Sequence, residues 1–192
     1  MPETMLNLWV SGVPRPKPSP RGVIKRTKTG KQYVDFYPGL KEYDSNGVRK
    51  ENDAEKWWNL IIAGIRAAVY AAGMREPIAG PVKLEVDYYF SRTDELLKLK
   101  YPISEIRHDG KPDIDNLQKL LMDAITKSGW REGPDKKQIK TPLVWFDDSQ
   151  ISCCQHKKWY VARGGKSGAR IVITRLQDPE PSLLEHAGVA HV

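Results

Sequence analysis

Asp113 and Asp115 stand one residue apart in Pro112-Asp113-Ile114-Asp115-Asn116, with Lys119 four residues past Asp115 and Asp123 four past Lys119. Farther along, Asp147-Asp148-Ser149-Gln150 adds a second acidic pair. Clustered carboxylates repel one another unless a cation or a basic side chain compensates. Oxygen-rich sites with few protein ligands suit Mg²⁺, with Mn²⁺ as a substitute, because these ions keep water ligands and recruit substrate phosphate. Such an ion acidifies water and neutralises charge on an attacked phosphate. Phosphodiester hydrolysis is the chemistry this set could perform. Each residue also has a plainer use. Asp115 can cap a helix, Lys119 can pair with Asp115 and Asp123, and Asp147-Asp148 can shape a tight turn.

The elements that position these side chains follow from hydrophobic period. Leu117, Leu120, Leu121, Ala124 and Ile125 form a core-facing stripe, which predicts a helix from about Asn116 to Lys127. Asp115 then falls at the N-cap, and Asp115, Lys119 and Asp123 share one face. An extended entry at Pro112 would turn Asp113 and Asp115 to the same side. An earlier helix runs from a cap at Asp53 to about Met74, with Trp57, Leu60, Ile61, Gly64, Ala68 and Ala71 inward. Leu6 to Val10 and Val82 to Phe90 alternate as half-buried strands. Val144 to Phe146 and Ile151 to Val161 flank the second acidic pair, and Ala169 to Leu176 is the last strand. Pro14 to Lys31 is rich in proline and base and reads as a loop, ordered or partly mobile; Ser128 to Pro142 has no clear period. The expected fold is one mixed α/β domain (α+β) over 1–176, a largely antiparallel sheet packed by two or more helices. A flexible tail covers 177–192.

Composition narrows the class. In 192 residues, 40% hydrophobic and 29% charged content fits a soluble globular chain. Lys+Arg exceed Asp+Glu by 31 to 24, so the net charge of +7 favours a polyanionic partner such as nucleic acid. Trp57 to Met74 is interrupted by Asn59 and Arg66, which argues against a membrane span, and Met1 to Leu8 lacks a signal-peptide core. The two cysteines, Cys153 and Cys154, are adjacent and cannot staple distant segments, so a reducing cytoplasm is expected. Zinc on Cys153, Cys154 and His156 is disfavoured, because neighbours on a strand point opposite ways and a fourth ligand is missing. Gly164-Gly165-Lys166-Ser167 has Tyr160 where a phosphate loop needs glycine.

Asp113-x-Asp115-Asn116-x-x-Lys119-x-x-x-Asp123-Ala124, followed by Asp147-Asp148-x-Gln150, resembles the RusA family of Holliday junction resolvases, common in prophages. Gly12-x-Pro14-x-Pro16-Lys17 with Pro20-Arg21 resembles the start of that family. The resemblance implies that Asp113, Asp115 and Asp148 are catalytic metal-binding acids, that Lys119 is a catalytic lysine, and that Asp123 and Asp147 support them. It further implies a Mg²⁺-dependent endodeoxyribonuclease of recombination and repair that resolves four-way DNA by paired symmetric nicks, acting as a homodimer. Trp57, Trp58 and the Ala-rich face near Ala67 to Ala72 are candidates for the dimer contact, although core packing is their commoner use. Lys17, Arg21, Lys25, Arg26, Lys28, Lys31, Lys157 and Lys158 would grip the DNA backbone without reading sequence. The stretch from Gly129 to Pro142 is longer than the family's compact connection. The alternatives are a less selective metal-dependent nuclease on branched or flapped DNA, and a DNA-binding accessory protein whose acids are structural.

Overall fold

Strict alternation in β6 (Val82–Phe90) buries Val82, Leu84, Val86, Tyr88 and Phe90 on one face of a sheet and leaves the residues between them half-exposed. A computed structural model describes residues 3–18, 21–27, 29–37, 41–43, 49–134 and 137–177. β6 lies at the centre of a five-stranded sheet with β1 (Glu3–Ser11), β7 (Ile106–Arg107), β10 (Ile151–Tyr160) and β11 (Gly168–Arg175), ordered β1-β11-β6-β10-β7. Only β6 and β10 run parallel; the other three pairings are antiparallel. Among the described residues two helices, α1 (Asp53–Ala71) and α2 (Ile114–Lys127), complete a single α+β domain. Leu6, Val10, Ile171 and Ile173 join the inner face of β6 and the two helices in one core.

The cap of α1 lies one residue before the expected one. Asn52 is the N-cap and accepts from the Glu55 backbone N–H at 2.8 Å, so Asp53 is the first helical residue. The buried stripe is Ala54, Trp57, Ile61, Ile65 and Val69, while Leu60 is 45% exposed. Gly64 allows β1 to approach closely, since a Cβ there would lie 3.0 Å from Val10 Cγ2. The helix stops at Ala71, short of Met74, just before Gly73 at φ +65°. Trp57, 1% exposed, belongs to the core and offers nothing to a partner chain.

Two irregular stretches prove to be ribbons. β2 (Arg21–Arg26), inside the segment that reads as an aperiodic loop, forms an antiparallel hairpin with β3 (Gln32–Tyr37), which follows that segment. Its turn is closed by the Thr27 N–H on the Lys31 carbonyl, and Gly30 at φ +82° provides the left-handed residue. A second hairpin pairs β4 (Lys41–Tyr43) with β5 (Arg49–Glu51). The 128–142 connection contains β8 (Arg131–Glu132) paired with β9 (Gln138–Ile139). Lys127 lies over Trp58 at 5.2 Å and Trp130 at 5.5 Å, and Lys140 over Trp130 at 5.0 Å, which docks this ribbon against α1. Val144 to Phe146 is not a strand; only Trp145 bridges, to Ile78. Lys28 and the tail from residue 178 lie outside the described residues.

Candidate active site

α2 connects the parallel strands β6 and β10, so it must run back antiparallel to both. Its N-terminus therefore sits where β6 leaves the sheet, and its C-terminus where β10 enters. Leu117, Leu120, Leu121, Ala124 and Ile125 are at most 1% exposed. Each contributes up to roughly 3 kcal/mol of burial. That anchoring lets the opposite face carry charge. Arg66 on α1 clasps the far end, donating from Nε to the Ser128 carbonyl at 2.6 Å and from Nη2 to the Trp130 carbonyl at 3.1 Å. Ser128 is the C-cap of α2, where a helix leaves acceptors unsatisfied, and Trp130 lies two residues beyond it.

Asp113, rather than Asp115, is the N-cap of α2, and its side chain makes no capping hydrogen bond. Its exposed carboxylate is left available at a point where the helix dipole favours negative charge. Asp115 lies in the first turn. Lys119 Nζ donates to its Oδ2 at 3.0 Å, and that bond holds the Asp115 carboxyl below the usual range. Asp123 is taken by a different partner, pairing with Lys17 Nζ instead of Lys119. Asp113, Asp115 and Lys119 thus form one exposed group at the start of α2.

The loop before α2 is held from beneath. Lys158 Nζ donates to the carbonyls of Gly110 and Pro112, the latter at 2.8 Å, so this lysine supports the acidic segment. Lys157, its neighbour on β10, is exposed and on the opposite face, and the two make no joint patch. His108 stacks on Tyr160 with centroids 4.3 Å apart and tilts against Phe90 at 4.6 Å. Burial, then the charge of Lys158, lowers its pKa below the ordinary value, and its Nδ1 has no hydrogen-bond partner.

The proline-rich stretch of residues 14–18 crosses this end of the molecule as a strap. The Lys17 backbone N–H donates to the Asn116 carbonyl at 3.0 Å, and Arg15 Nη2 pairs with Asp53 Oδ2 at 2.9 Å. With the Lys17–Asp123 pair, the strap is tied to both helices. Strap and helix start enclose a groove of about 560 Å³. Arg21, Lys25 and Arg26 follow in β2, with Arg26 and Lys31 exposed.

Asp147 and Asp148 occupy the other end of α2. Asp147 caps the short turn of Asp148–Gln150, accepting from the Ser149 N–H at 2.8 Å, which lowers its pKa. Gln150 completes the turn by accepting from Phe146 and Asp147 N–H groups and donating to the Ile78 and Gly80 carbonyls. Asp148 Oδ1 accepts from Thr126 Oγ1 at 2.6 Å and from Trp145 Nε1 at 3.0 Å. Thr126 lies 11 residues beyond Asp115, about 16 Å along the helix at 1.5 Å per residue. One chain therefore pairs Asp115 with Lys119, sets Asp113 at the same end of α2 and keeps Asp148 at the other. Among the described residues, no three His, Cys, Asp or Glu side chains lie close enough to hold a metal ion.

Cys153 and Cys154 point to opposite faces of β10. His156 Nε2 lies 2.9 Å from Cys154 Sγ and its Nδ1 3.2 Å from the Tyr88 hydroxyl. Burial pushes His156 down to about 4 and, with the neighbouring Cys153, pushes Cys154 up to about 11, so thiol and imidazole are both neutral at pH 7. Sequence reasoning did not anticipate this network, the strap's ion pairs or the support from Lys158. Each joins residues distant in the chain and carries no local signal.

No helix among the described residues is long and apolar enough to cross a membrane. No curated protein matches the chain. The family model of endodeoxyribonuclease RusA matches residues 14–174. That span starts at the strap, includes both acidic ends of α2 and finishes within β11, so the chain belongs to the RusA endodeoxyribonuclease family.

Proposed function

We propose that this protein is a Mg²⁺-dependent endonuclease that resolves four-way DNA junctions by paired symmetric nicks, acting as a cytoplasmic homodimer in recombination and repair. The observation that carries the reading is Asp113: a carboxylate at a helix start that caps nothing, beside Asp115 and a row of cations. Two exposed carboxylates fit Mg²⁺, which takes one or two and fills its remaining positions with water and phosphate. Asp113 and Asp115 would hold the ion, which supplies an acidified water and charge neutralisation at the phosphate under attack. Lys119 holds the Asp115 carboxylate in place and would neutralise charge that develops on the phosphate. Lys111 and the basic hairpin hold the DNA backbone at the mouth of the groove. Asp148, fixed by Thr126 and Trp145 at the far end of α2, is the third acid of the reaction and lies apart from this pair within one chain.

The test is cleavage of a synthetic four-way junction by the purified chain. Mg²⁺-dependent paired nicks are expected, and EDTA should abolish them. Equal cutting of flaps and junctions would favour the less selective nuclease. Binding without cutting in any divalent ion would leave an accessory protein with structural acids.

A further inference from the structure

The groove beneath the strap has two characters that duplex DNA does not satisfy together. Val13, Pro16, Phe90 and Pro112 line it with apolar surface, and Lys111 adds a cation beside Arg15 and Lys17, which are paired with Asp53 and Asp123. Lys111 is exposed, and Arg15 Nε is shielded from solvent with no hydrogen-bond partner. Asn116 also lines the groove and carries a side-chain amide with both donor and acceptor capacity. Its volume of about 560 Å³ falls within the range of small-molecule sites.

A nucleotide is the portion of DNA that presents a flat apolar ring and an anionic phosphate together. We propose that this groove receives one nucleobase unstacked at the branch point, with its phosphate held by Lys111 and its edge met by Asn116. The inference rests on the junction-resolving reading and adds a device for selectivity to it. In a continuous duplex every base is paired and stacked, and extraction is unfavourable. At a branch point stacking is already interrupted, so the groove fills at the smallest cost there. The same base lies beside Asp113, which couples recognition of a branch to the position of the scissile phosphate. Base identity at that position should then bias where the chain cuts.

The test uses four-way junctions with 2-aminopurine placed singly at each position around the branch, in EDTA, with a distant fluorophore reporting binding by anisotropy. Wild-type protein should raise 2-aminopurine fluorescence several-fold at one position per cut strand. Val13→Met fills the groove without adding an aromatic quencher and should remove that rise; Lys111→Ala, at an exposed position, should reduce it. In Mg²⁺, the ratio of cleavage rates among junctions that differ only at that base should fall towards one in Val13→Met. Binding by anisotropy with no rise at any position would overturn the groove assignment and leave the nuclease reading standing. So would a rise unchanged in both variants. Failure to bind junctions at all would overturn the function and the groove together.

Discussion

Asp113 and Asp147 both precede a helical turn, but only Asp147 commits its carboxylate to the turn. The chemical use of an acid in this chain follows from that difference, and it yields contrasting expectations. Asp115→Asn should abolish junction cleavage while the melting temperature stays near the wild-type value, because its charged partner is an exposed pair with Lys119 and an amide oxygen can still accept from the backbone of the first turn. Junction binding should hold or tighten, since a charge that repels phosphate is removed. Asp148→Asn should abolish cleavage and also lower stability by roughly 1–3 kcal/mol, because Thr126 and Trp145 lose a charged acceptor. Thermal melting beside a nicking assay separates the two, and substantial cleavage by either folded variant would refute its site assignment. His156 supplies a pH expectation. Its folded pKa of about 4 lies below the ordinary 6.5, so between those values the unfolded chain binds a proton that the folded chain refuses. The stability it confers is complete above about pH 6.5, is lost as pH falls towards 4, and changes no further below that. The ceiling is about 3 kcal/mol. Urea midpoints at pH 7 and pH 4 should therefore differ more in wild type than in His156→Gln, and equal differences would remove His156 as the cause.

At the scale of elements, strands and helices with a clear apolar period were legible and hairpins made of charge were not. Val82–Phe90 alternates without a break and matches β6 residue for residue, and the α2 stripe reads off Leu117 to Ile125. Arg21-Gly22-Val23-Ile24-Lys25-Arg26 shows no such period, so β2 read as loop; its ladder with β3 is a backbone property that leaves no hydrophobic trace. The start of α2 was displaced for a similar reason. The apolar stripe begins at Leu117 and carries no trace of the turn before it, where Asp113 is the cap and Lys158 holds the Pro112 carbonyl from 46 residues away. Val144 to Phe146 is apolar yet forms no strand; it buries Val144 and Trp145 and bridges to Ile78 through Trp145. The hairpin makes its own prediction. Arg21, Lys25 and Arg26 replaced together by Ala should weaken junction binding and flatten its dependence on salt. The log–log slope should fall by about one unit for each phosphate no longer neutralised. Wild-type affinity and slope in that variant would show that DNA is gripped elsewhere.

At the scale of the whole molecule, symmetry is the remaining physical question. One group of acids at the start of α2 can open one phosphodiester, whereas a four-way junction is resolved by two nicks on opposing strands. A two-fold substrate is met most simply by a two-fold protein with one site per chain, and an isologous contact closes without propagating into a filament. The family match over 14–174 made the class of enzyme legible, but dimerisation depends on surface that a single sequence does not rank. Of the candidates nominated from sequence, Trp57 is buried and Trp58 is engaged by Lys127; two apolar residues that were not nominated, Leu60 at 45% and Tyr70 at 89% exposure, lie on the outer side of α1. Light scattering at working concentration should return the mass of two chains. The sharper measurement mixes wild-type chains with an excess of Asp115→Asn chains on a supercoiled plasmid bearing a cruciform. Mixed dimers carry one competent site, so the product should shift from linear plasmid, cut on both strands in one encounter, to nicked circles. A chain that stays monomeric on DNA, or a ratio of linear to nicked product that ignores the added variant, would rule out paired action by a homodimer and leave a nuclease that cuts one strand at a time.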